Sequence, residues 1–331
     1  MKVSHVLLAV LGASIACSAF AAPALDGTLK KAKDTGIFTI GYRDASVPFS
    51  YLDAKGKSIG YGNEICKNIA AAVEKKVGRK LTIKWQPITS GNRIPLLLNG
   101  TYDVECGSTT NSKERQKLVD FGTTYFAVGV TAAVKKNSGI KSFKDLNNKN
   151  VSTTAGTTSV TLLKDLRKKG INTRVVPAKD HAEAFQLLAQ NRVVANVMDD
   201  ILLAGQIANS QTPAAYTLLN ETISEEPYAP MLRKDPQFKA LVDATVTGMI
   251  KSGQMKKLYD HKLSEVDFRT LFKDVMEAIH EGGLDIEPLR RLIAEWVDEE
   301  KIRSSPKKLF LVTYSLTDKR ELDIDADELE E

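Results

Sequence analysis

Residues 174–199 read RVVPAKDHAEAFQLLAQNRVVANVMD, and this stretch predicts the class of the fold. The run Arg174–Val176 is typical of a strand, and Asp180 is a suitable N-cap for a helix that ends near Gln190. Val193–Met198 is a second apolar run of strand length. Strands that alternate with helices in this way build parallel sheets, so we predict an α/β fold.

The same alternation continues in both directions from this stretch. Ile65, Ile69, Val73 and Val77 recur every four residues, which predicts a helix that ends at Gly78. Further strands are predicted at 37–40, 81–85, 128–134 and 151–153, and further helices begin near 112, 142, 158 and 199. Repeated strand–helix units favour parallel sheets with helices on both faces.

Charge is distributed unevenly along the 331 residues. The net charge is only +5, which is too weak to indicate a nucleic-acid partner. Residues 1–263 hold 36 Lys and Arg against 22 Asp and Glu, whereas residues 264–331 hold 10 against 19. The first segment carries +14 and the second −9, so we predict a domain boundary between Leu263 and Ser264.

Residues 1–22 have the layout of a secretory signal peptide. Lys2 precedes an apolar run over 6–16, and Ala-Phe-Ala at 19–21 supplies small residues for cleavage. The apolar run is too short to cross a membrane as a helix. We therefore expect an exported protein. Lipid attachment at Cys17 is the alternative, although the residues before it lack the Leu with which such a site usually begins.

Export makes the two remaining cysteines, Cys66 and Cys106, candidates for a disulfide bond. Two buried thiols are the alternative. The chain has no C-x-x-C motif and only 4 His, so we predict no metal site. P-loop, G-x-G-x-x-G, H-E-x-x-H and G-x-S-x-G motifs are also absent from the sequence, so we predict neither a cofactor nor a catalytic residue.

Charged and hydroxyl side chains stand where predicted strands end and helices begin, which is where open α/β sheets bind ligands. A guanidinium group forms a fork that fits a carboxylate, and a hydroxyl-rich helix start offers free N–H groups to an anion. These features together favour an anionic ligand. The set comprises Arg43, Arg93, Arg115, the segment Ala155–Ser159, His181 and Asp199.

Several motifs carry a resemblance to a known family. The stretches PITSGNRIPLLLNG at 87–100, ECGSTTN at 105–111 and MDDILLAG at 198–205 resemble the periplasmic glutamate/aspartate-binding proteins of ABC transporters, solute-binding protein family 3. Further likeness lies in AKDH at 178–181 and MLRKDP at 231–236, in the order of the family. The resemblance covers about residues 28–262.

This resemblance implies a type II periplasmic-binding-protein fold, in which two α/β lobes close on a ligand as a hinge. Lobe 1 would comprise residues 23–125 and 229–263, and lobe 2 would comprise residues 126–228. Two crossover strands would join the lobes, near Thr124–Val130 and Glu221–Ala229. The implied partners are an acidic amino acid and an inner-membrane ABC permease, and the implied state is a periplasmic monomer.

The resemblance also implies a ligand-binding role for nine residues, in three groups. The groups are Arg115 and Thr158 for the α-carboxylate; Asp199, Ser108 and Thr110 for the α-ammonium; and Arg43, Arg93, His181 and Ser90 for the side-chain carboxylate. Three Arg and one Asp give this set a charge of +2 with His181 neutral. That charge suits a dicarboxylic amino acid of charge −1 better than glutamine or lysine.

Residues 264–331 differ from the rest of the chain. Apolar stripes predict helices over 268–279 and 286–300, and Lys308–Leu316 predicts a strand. Residues 268–316 weakly resemble the middle of patatin-like phospholipases, but the serine elbow of that family is absent, so we predict no lipase activity. We expect an unrelated, mainly helical fragment at the position where the binding-protein family has the end of lobe 1. A natural fusion, a frameshift or an incorrect join in sequence assembly would account for it.

The leading functional hypothesis is a receptor without catalytic activity that binds glutamate or aspartate for an ABC importer. A periplasmic enzyme on the same fold, such as a dehydratase, is the second hypothesis. It needs a general acid or base, for which Glu105 and His181 are the candidates. A patatin-type hydrolase is the third and is disfavoured by the missing serine.

Overall fold

The computed structural model describes residues 24–265, 310–315 and 320–325. The predicted signal peptide over 1–22, with Cys17, lies outside the described residues, as do the predicted helices over 268–279 and 286–300. In the described part of the chain, no helix is both long enough and apolar enough to cross a membrane.

Helices and strands alternate along the described chain. The helices are α1 (Gly27–Thr35), α2 (Tyr61–Val77), α3 (Arg93–Leu98), α4 (Lys113–Gln116), α5 (Thr158–Lys168), α6 (His181–Ala189), α7 (Asp200–Ala208), α8 (Pro236–Lys251) and α9 (Gln254–Glu265). The strands are β1 (Ile37–Tyr42), β2 (Ala45–Ser46), β3 (Ser50–Leu52), β4 (Ser58–Ile59), β5 (Thr82–Pro87), β6 (Val104–Glu105), β7 (Asp120–Phe121), β8 (Phe126–Lys135), β9 (Asn150–Thr154), β10 (Arg174–Ala178), β11 (Ala195–Asp199), β12 (Tyr216–Leu218), β13 (Glu225–Tyr228), β14 (Met231–Leu232), β15 (Phe310–Ser315) and β16 (Arg320–Asp325).

The helix ends follow local chemistry that the sequence displays. α2 ends at Gly78, whose φ of 72° is left-handed and whose N–H bonds to the carbonyl of Glu74. α6 begins after Asp180, whose side chain accepts a hydrogen bond from the N–H of Glu183 at 2.9 Å. The helix predicted near residue 142 is a 3₁₀ turn, Phe143–Leu146.

Two sheets organise the molecule, and we call the bodies around them lobe 1 and lobe 2. The sheet of lobe 1 has the order β5-β1-β6-β14-β7, and the sheet of lobe 2 has the order β10-β9-β11-β8-β12. α1, α2, α8 and α9 pack together in lobe 1, and α5, α6 and α7 pack on the strands of lobe 2.

The prediction of parallel sheets holds for only part of each sheet. β5, β1 and β6 are parallel, as are β10, β9 and β11. β14 is antiparallel to β6 and β7, and β8 is antiparallel to β11 and β12. Because β8 and β14 come directly from the other lobe without a helical crossover, they enter their sheets in the opposite direction.

The lobes are joined by two crossing segments of the chain. β8 leads from lobe 1 into lobe 2, and β13 leads back, pairing antiparallel with β8 from Tyr228 opposite Phe126 to Glu225 opposite Gly129. These strands lie within or overlap the segments predicted at 124–130 and 221–229. The exact lobe boundaries stay a prediction.

A disulfide bond ties α2 to the end of β6. Cys66 and Cys106 are both buried, with their Cα atoms 5.7 Å apart and 40 positions apart in the sequence. At the other end of the described region, α9 continues past the predicted boundary at 263/264 to Glu265. Beyond it the structure describes an antiparallel hairpin of β15 and β16, at the position of the strand predicted over 308–316.

Candidate functional site

The candidate site lies where the carboxyl ends of parallel strands from both lobes meet. In lobe 1, Arg43 directly follows β1 and Glu105 ends β6. In lobe 2, Thr154 ends β9 and Asp199 ends β11, while His181 follows β10 by three residues. This is the edge at which open α/β sheets bind ligands.

The two lobes touch each other across this edge. A Cβ atom at Gly156 would lie 2.7 Å from the carbonyl oxygen of Ser90 and 2.7 Å from the Cα of Gly91, so only glycine fits there. Arg115 of lobe 1 donates from Nη2 to the carbonyl oxygen of Gly156 in lobe 2, at 3.5 Å. The cleft is therefore closed.

Arg43 and His181 meet across the cleft. The Arg43 Nη2 and His181 Nε2 atoms are 3.4 Å apart, and His181 Nδ1 lies 2.8 Å from the hydroxyl of Thr154. Because a guanidinium can only donate, His181 Nε2 accepts from Arg43 and Nδ1 carries the proton. Burial, together with Arg43 and Arg93, holds the pKa of His181 well below its usual value, so the ring is neutral.

Three buried atoms at the cleft that can donate a hydrogen bond have no partner among the described residues. They are Arg43 Nη1, Arg93 Nε and Ser90 Oγ. Arg93 is otherwise fixed, since its Nη1 donates to the Thr109 hydroxyl at 2.6 Å. Burial lowers the pKa of Arg43 to about 10, with a further contribution from Arg93. Buried donors are normally satisfied, so these three indicate a place for an anionic group.

Arg115 and Thr158 lie on opposite sides of the cleft. Arg115 is held by α4, which the Ser112 side chain caps, and its Nη1 donates to the carbonyl oxygen of Thr110 at 2.9 Å. Burial, followed by Arg93, lowers its pKa to about 9. Thr158 is the first residue of α5, and the N–H groups at the start of a helix can bind an anion.

Two acidic side chains, Asp199 and Glu226, lie beside Arg115 and Thr158. The Tyr228 hydroxyl donates to Asp199, and the Thr158 hydroxyl donates to Glu226 at 3.0 Å. Burial first, and the neighbouring Glu226 second, raise the pKa of Asp199 to about 7, although the Tyr228 hydrogen bond lowers it. The carboxyl group of Asp199 therefore offers a partner for a cation close to the arginine that could bind an anion.

The remaining predicted ligand residues are buried close to these groups. Ser108 donates to the Ser46 hydroxyl at 3.2 Å. Thr110 forms an isolated antiparallel bridge with Tyr228. The structure thus places the nine predicted residues along one cleft. Both ring nitrogens of His181, however, are hydrogen-bonded to protein side chains.

The charge of +2 counted from the sequence omitted two carboxyl groups. Glu105 is fully buried, with one oxygen accepting from the Gly107 N–H at 2.7 Å and the other without a described partner. Glu226 is 4% exposed. Together with Asp199 they match the three arginines in number. Glu226 carries no local sequence signal, because its inward direction depends on how β13 pairs with β8.

The site has no arrangement suited to a metal. Within the described residues, no group of three or more His, Cys, Asp or Glu side chains could hold a metal ion.

Residues 38–264 match the bacterial extracellular solute-binding proteins, family 3. This chain belongs to that family. The match ends at residue 264, and the predicted likeness of residues 268–316 to patatin-like phospholipases is not supported by it.

Two relatives that are named as solute-binding or amino-acid-binding proteins agree with this assignment. The chain is 45% identical to a glutamate/aspartate import solute-binding protein of Escherichia coli (strain K12) over 258 residues, 77% of this chain and 85% of that protein. It is also 45% identical to an L-glutamate/L-aspartate-binding protein of Pseudomonas aeruginosa over 267 residues, 78% and 88% of the two chains.

A solved structure shows the same fold. The ancestral amino acid-binding protein AncCDT-1, described as a precursor of cyclohexadienyl dehydratase, is 31% identical with a TM-score of 0.61, covering 71% of this chain and 99% of its own. This chain therefore has the type II periplasmic-binding-protein fold, with two lobes around one cleft.

Proposed function

We propose that this protein captures an acidic L-amino acid, glutamate or aspartate, in the periplasm and delivers it to an ABC importer of the inner membrane. It acts as a monomeric receptor without catalysis. The observation that carries the proposal is the group of buried donors without described partners, Arg43 Nη1, Arg93 Nε and Ser90 Oγ. They fit a second carboxylate, beyond the one that every amino acid carries.

Each charge of the ligand has a partner of opposite sign. The α-carboxylate would bind Arg115 and the start of α5 at Thr158, and the α-ammonium would bind Asp199 with Ser108 and Thr110. The side-chain carboxylate would bind Arg43, Arg93 and Ser90. His181 would act through Arg43, because its Nε2 accepts from that guanidinium. A charge buried at such depth is costly without a partner of opposite sign, and these contacts would give each ligand charge one.

The relatives support the same ligand class. Both the Escherichia coli and the Pseudomonas aeruginosa proteins are named for glutamate and aspartate. For the alternative of a dehydratase-type enzyme, Glu105 is the remaining candidate acid or base. His181 is unsuited to this role, because burial holds its pKa well below the usual value and both of its nitrogens are bound.

Calorimetry with the purified mature protein tests the proposal. L-glutamate, L-aspartate, L-glutamine and L-arginine are titrated under one condition. We expect binding of the first two and, because a neutral amide leaves the Arg43 and Arg93 donors poorly satisfied, at least hundredfold weaker binding of glutamine. Equal affinity for glutamine would refute the acidic specificity. Consumption of a bound compound, followed by mass spectrometry, would instead support an enzyme.

A further inference from the structure

A glycine of α7 lies at the contact between the lobes, away from the ligand-binding side chains. Gly205 is buried in the second turn of α7. The next residue, Gln206, donates from Nε2 to the carbonyl oxygen of Ala45 in β2 of lobe 1, at 3.1 Å. The second turn of α7 therefore rests against the main chain of the opposite lobe.

There is no room for a side chain at this glycine. A Cβ atom at Gly205 would lie 2.8 Å from the carbonyl oxygen of Val47 and 3.2 Å from the Val47 Cβ and Cγ1 atoms. Nonbonded heavy atoms normally stay about 3.5 Å apart. A main-chain carbonyl cannot rotate away as a flexible side chain can, so the lobes or the loop would have to separate.

The choice of glycine here needs an explanation, because glycine weakens a helix interior relative to alanine. Gly248 in α8 shows the contrast, since a Cβ atom there would meet nothing within 4 Å. At Gly205 the close approach of Val47 gives the reason. Only a residue without a Cβ lets α7 and lobe 1 come this close.

This contact is linked directly to both ends of the ligand site. α7 begins immediately after Asp199, and the segment that contains Val47 begins just after Arg43. The separation of α7 from this segment therefore helps to set how far Asp199 and His181 lie from Arg43. The Arg43 Nη2 and His181 Nε2 atoms, which come from opposite lobes, lie 3.4 Å apart in this closed arrangement.

We propose that Gly205 is a positioning residue for ligand capture: the absence of its side chain lets α7 approach Val47 closely enough for the lobes to close fully on the ligand. This inference rests on the proposed function for the identity of the ligand. Affinity in a hinged receptor depends on how well the closed state forms, so blocking closure weakens binding without removing any ligand contact.

The first test compares Gly205→Ala with the matched helix variant Gly248→Ala, both in the full exported chain. Calorimetry with L-glutamate is expected to give a Kd at least tenfold higher for Gly205→Ala and within twofold of the parent for Gly248→Ala. The ligand-free Gly205→Ala protein is expected to unfold at or above the parent's temperature, because alanine favours the helix. A lower unfolding temperature would show a contact needed for the fold alone and would overturn the inference.

A second test measures closure without using affinity. Spin labels on Lys55→Cys in lobe 1 and Lys144→Cys in lobe 2, both exposed positions, report the distance between the lobes. With saturating glutamate, Gly205→Ala is expected to leave a larger open population than the parent. Parent-like distances together with a parent-like Kd would overturn the inference.

The two proposals fail in different ways. If the parent binds neither glutamate nor aspartate, the proposed function is wrong. The label distances of the ligand-free proteins then decide the role of Gly205. A smaller closed population in Gly205→Ala than in the parent supports it, and equal populations overturn it.

Discussion

Replacing Arg93 by Ala tests the anion-binding part of the cleft most directly. The Arg93 side chain is buried, its Nη1 donates to Thr109, and its Nε has no described partner. Without this guanidinium, a bound carboxylate would lose one partner of a buried ion pair, which costs about 3–5 kcal/mol. Because 1.4 kcal/mol corresponds to about a tenfold change in affinity, the affinity for L-glutamate should decrease by a factor between about one hundred and a few thousand.

The same substitution should have little effect on the ligand-free protein. Arg93 lies close enough to Arg43 and Arg115 to lower the pKa of both. Its removal relieves repulsion between like charges, which offsets part of the packing that is lost. We therefore expect the ligand-free variant to remain folded, with a circular dichroism spectrum like that of the parent.

The assay is calorimetry with L-glutamate and L-glutamine. Arg79→Ala is the control, because Arg79 is exposed and bonds to the carbonyl oxygen of Lys33, remote from the cleft. We expect glutamate to lose far more affinity than glutamine in Arg93→Ala. Unchanged glutamate affinity in the folded variant would refute the assignment. Equal losses for both ligands would mean that Arg93 shapes the cleft and does not bind the side-chain carboxylate.

Three further predictions concern protonation, the disulfide bond and a buried ion pair. Because the pKa of ligand-free Asp199 is raised to about 7, the group must release a proton below that pH to bind an ammonium. Glutamate affinity should therefore fall about 30-fold from pH 8 to pH 5.5, and Asp199→Asn should remove this dependence in calorimetry. Replacing Cys66 and Cys106 together by Ser should lower the unfolding free energy in urea by about 3–4 kcal/mol; an unchanged midpoint would contradict the bridge. Replacing Asp103, which is fully buried between Lys31 and Arg233, by Ala should lower the free energy of unfolding by about 3–5 kcal/mol. The same replacement of the exposed Asp34 should leave it almost unchanged in the same thermal unfolding assay.

Local patterns predicted the elements but not the direction of every strand. The stripe from Ile65 to Val77 and the caps at Asp180 and Gly78 act within a few residues, so the sequence displays them. The antiparallel direction of β8 and β14 follows from a chain that passes between lobes twice. That path depends on contacts between residues more than sixty positions apart in the sequence, which no local window contains.

The sequence predicted which residues lie together better than it predicted their total charge. Residue types at strand ends and helix starts indicated that the arginines and Asp199 would share a cleft, and their ligand-binding roles stay a prediction. The inward direction of Glu226 could not be predicted, since Glu225 beside it points the other way and only the pairing with β8 distinguishes them. Likewise, the sequence could not show that the His181 ring accepts a hydrogen bond from Arg43, so that its Nε2 atom already has a protein partner.

The balance of buried charges explains how one cleft can be stable empty and still select a dicarboxylic amino acid. Three guanidinium groups lie among three carboxyl groups, so the ligand-free protein does not bury a large net charge. The atoms that lack a hydrogen-bond partner indicate which groups of a ligand bind where. Carboxylates fit the donors of Arg43 and Arg93 that have no described partner, while the ammonium fits Asp199, whose raised pKa lets a proton occupy that place in its absence. In the proposed complex the ammonium would thus replace a proton of the same charge. The side-chain carboxylate would offer two acceptor oxygens to the unpartnered donors of Arg43 and Arg93, whereas an amide side chain offers one.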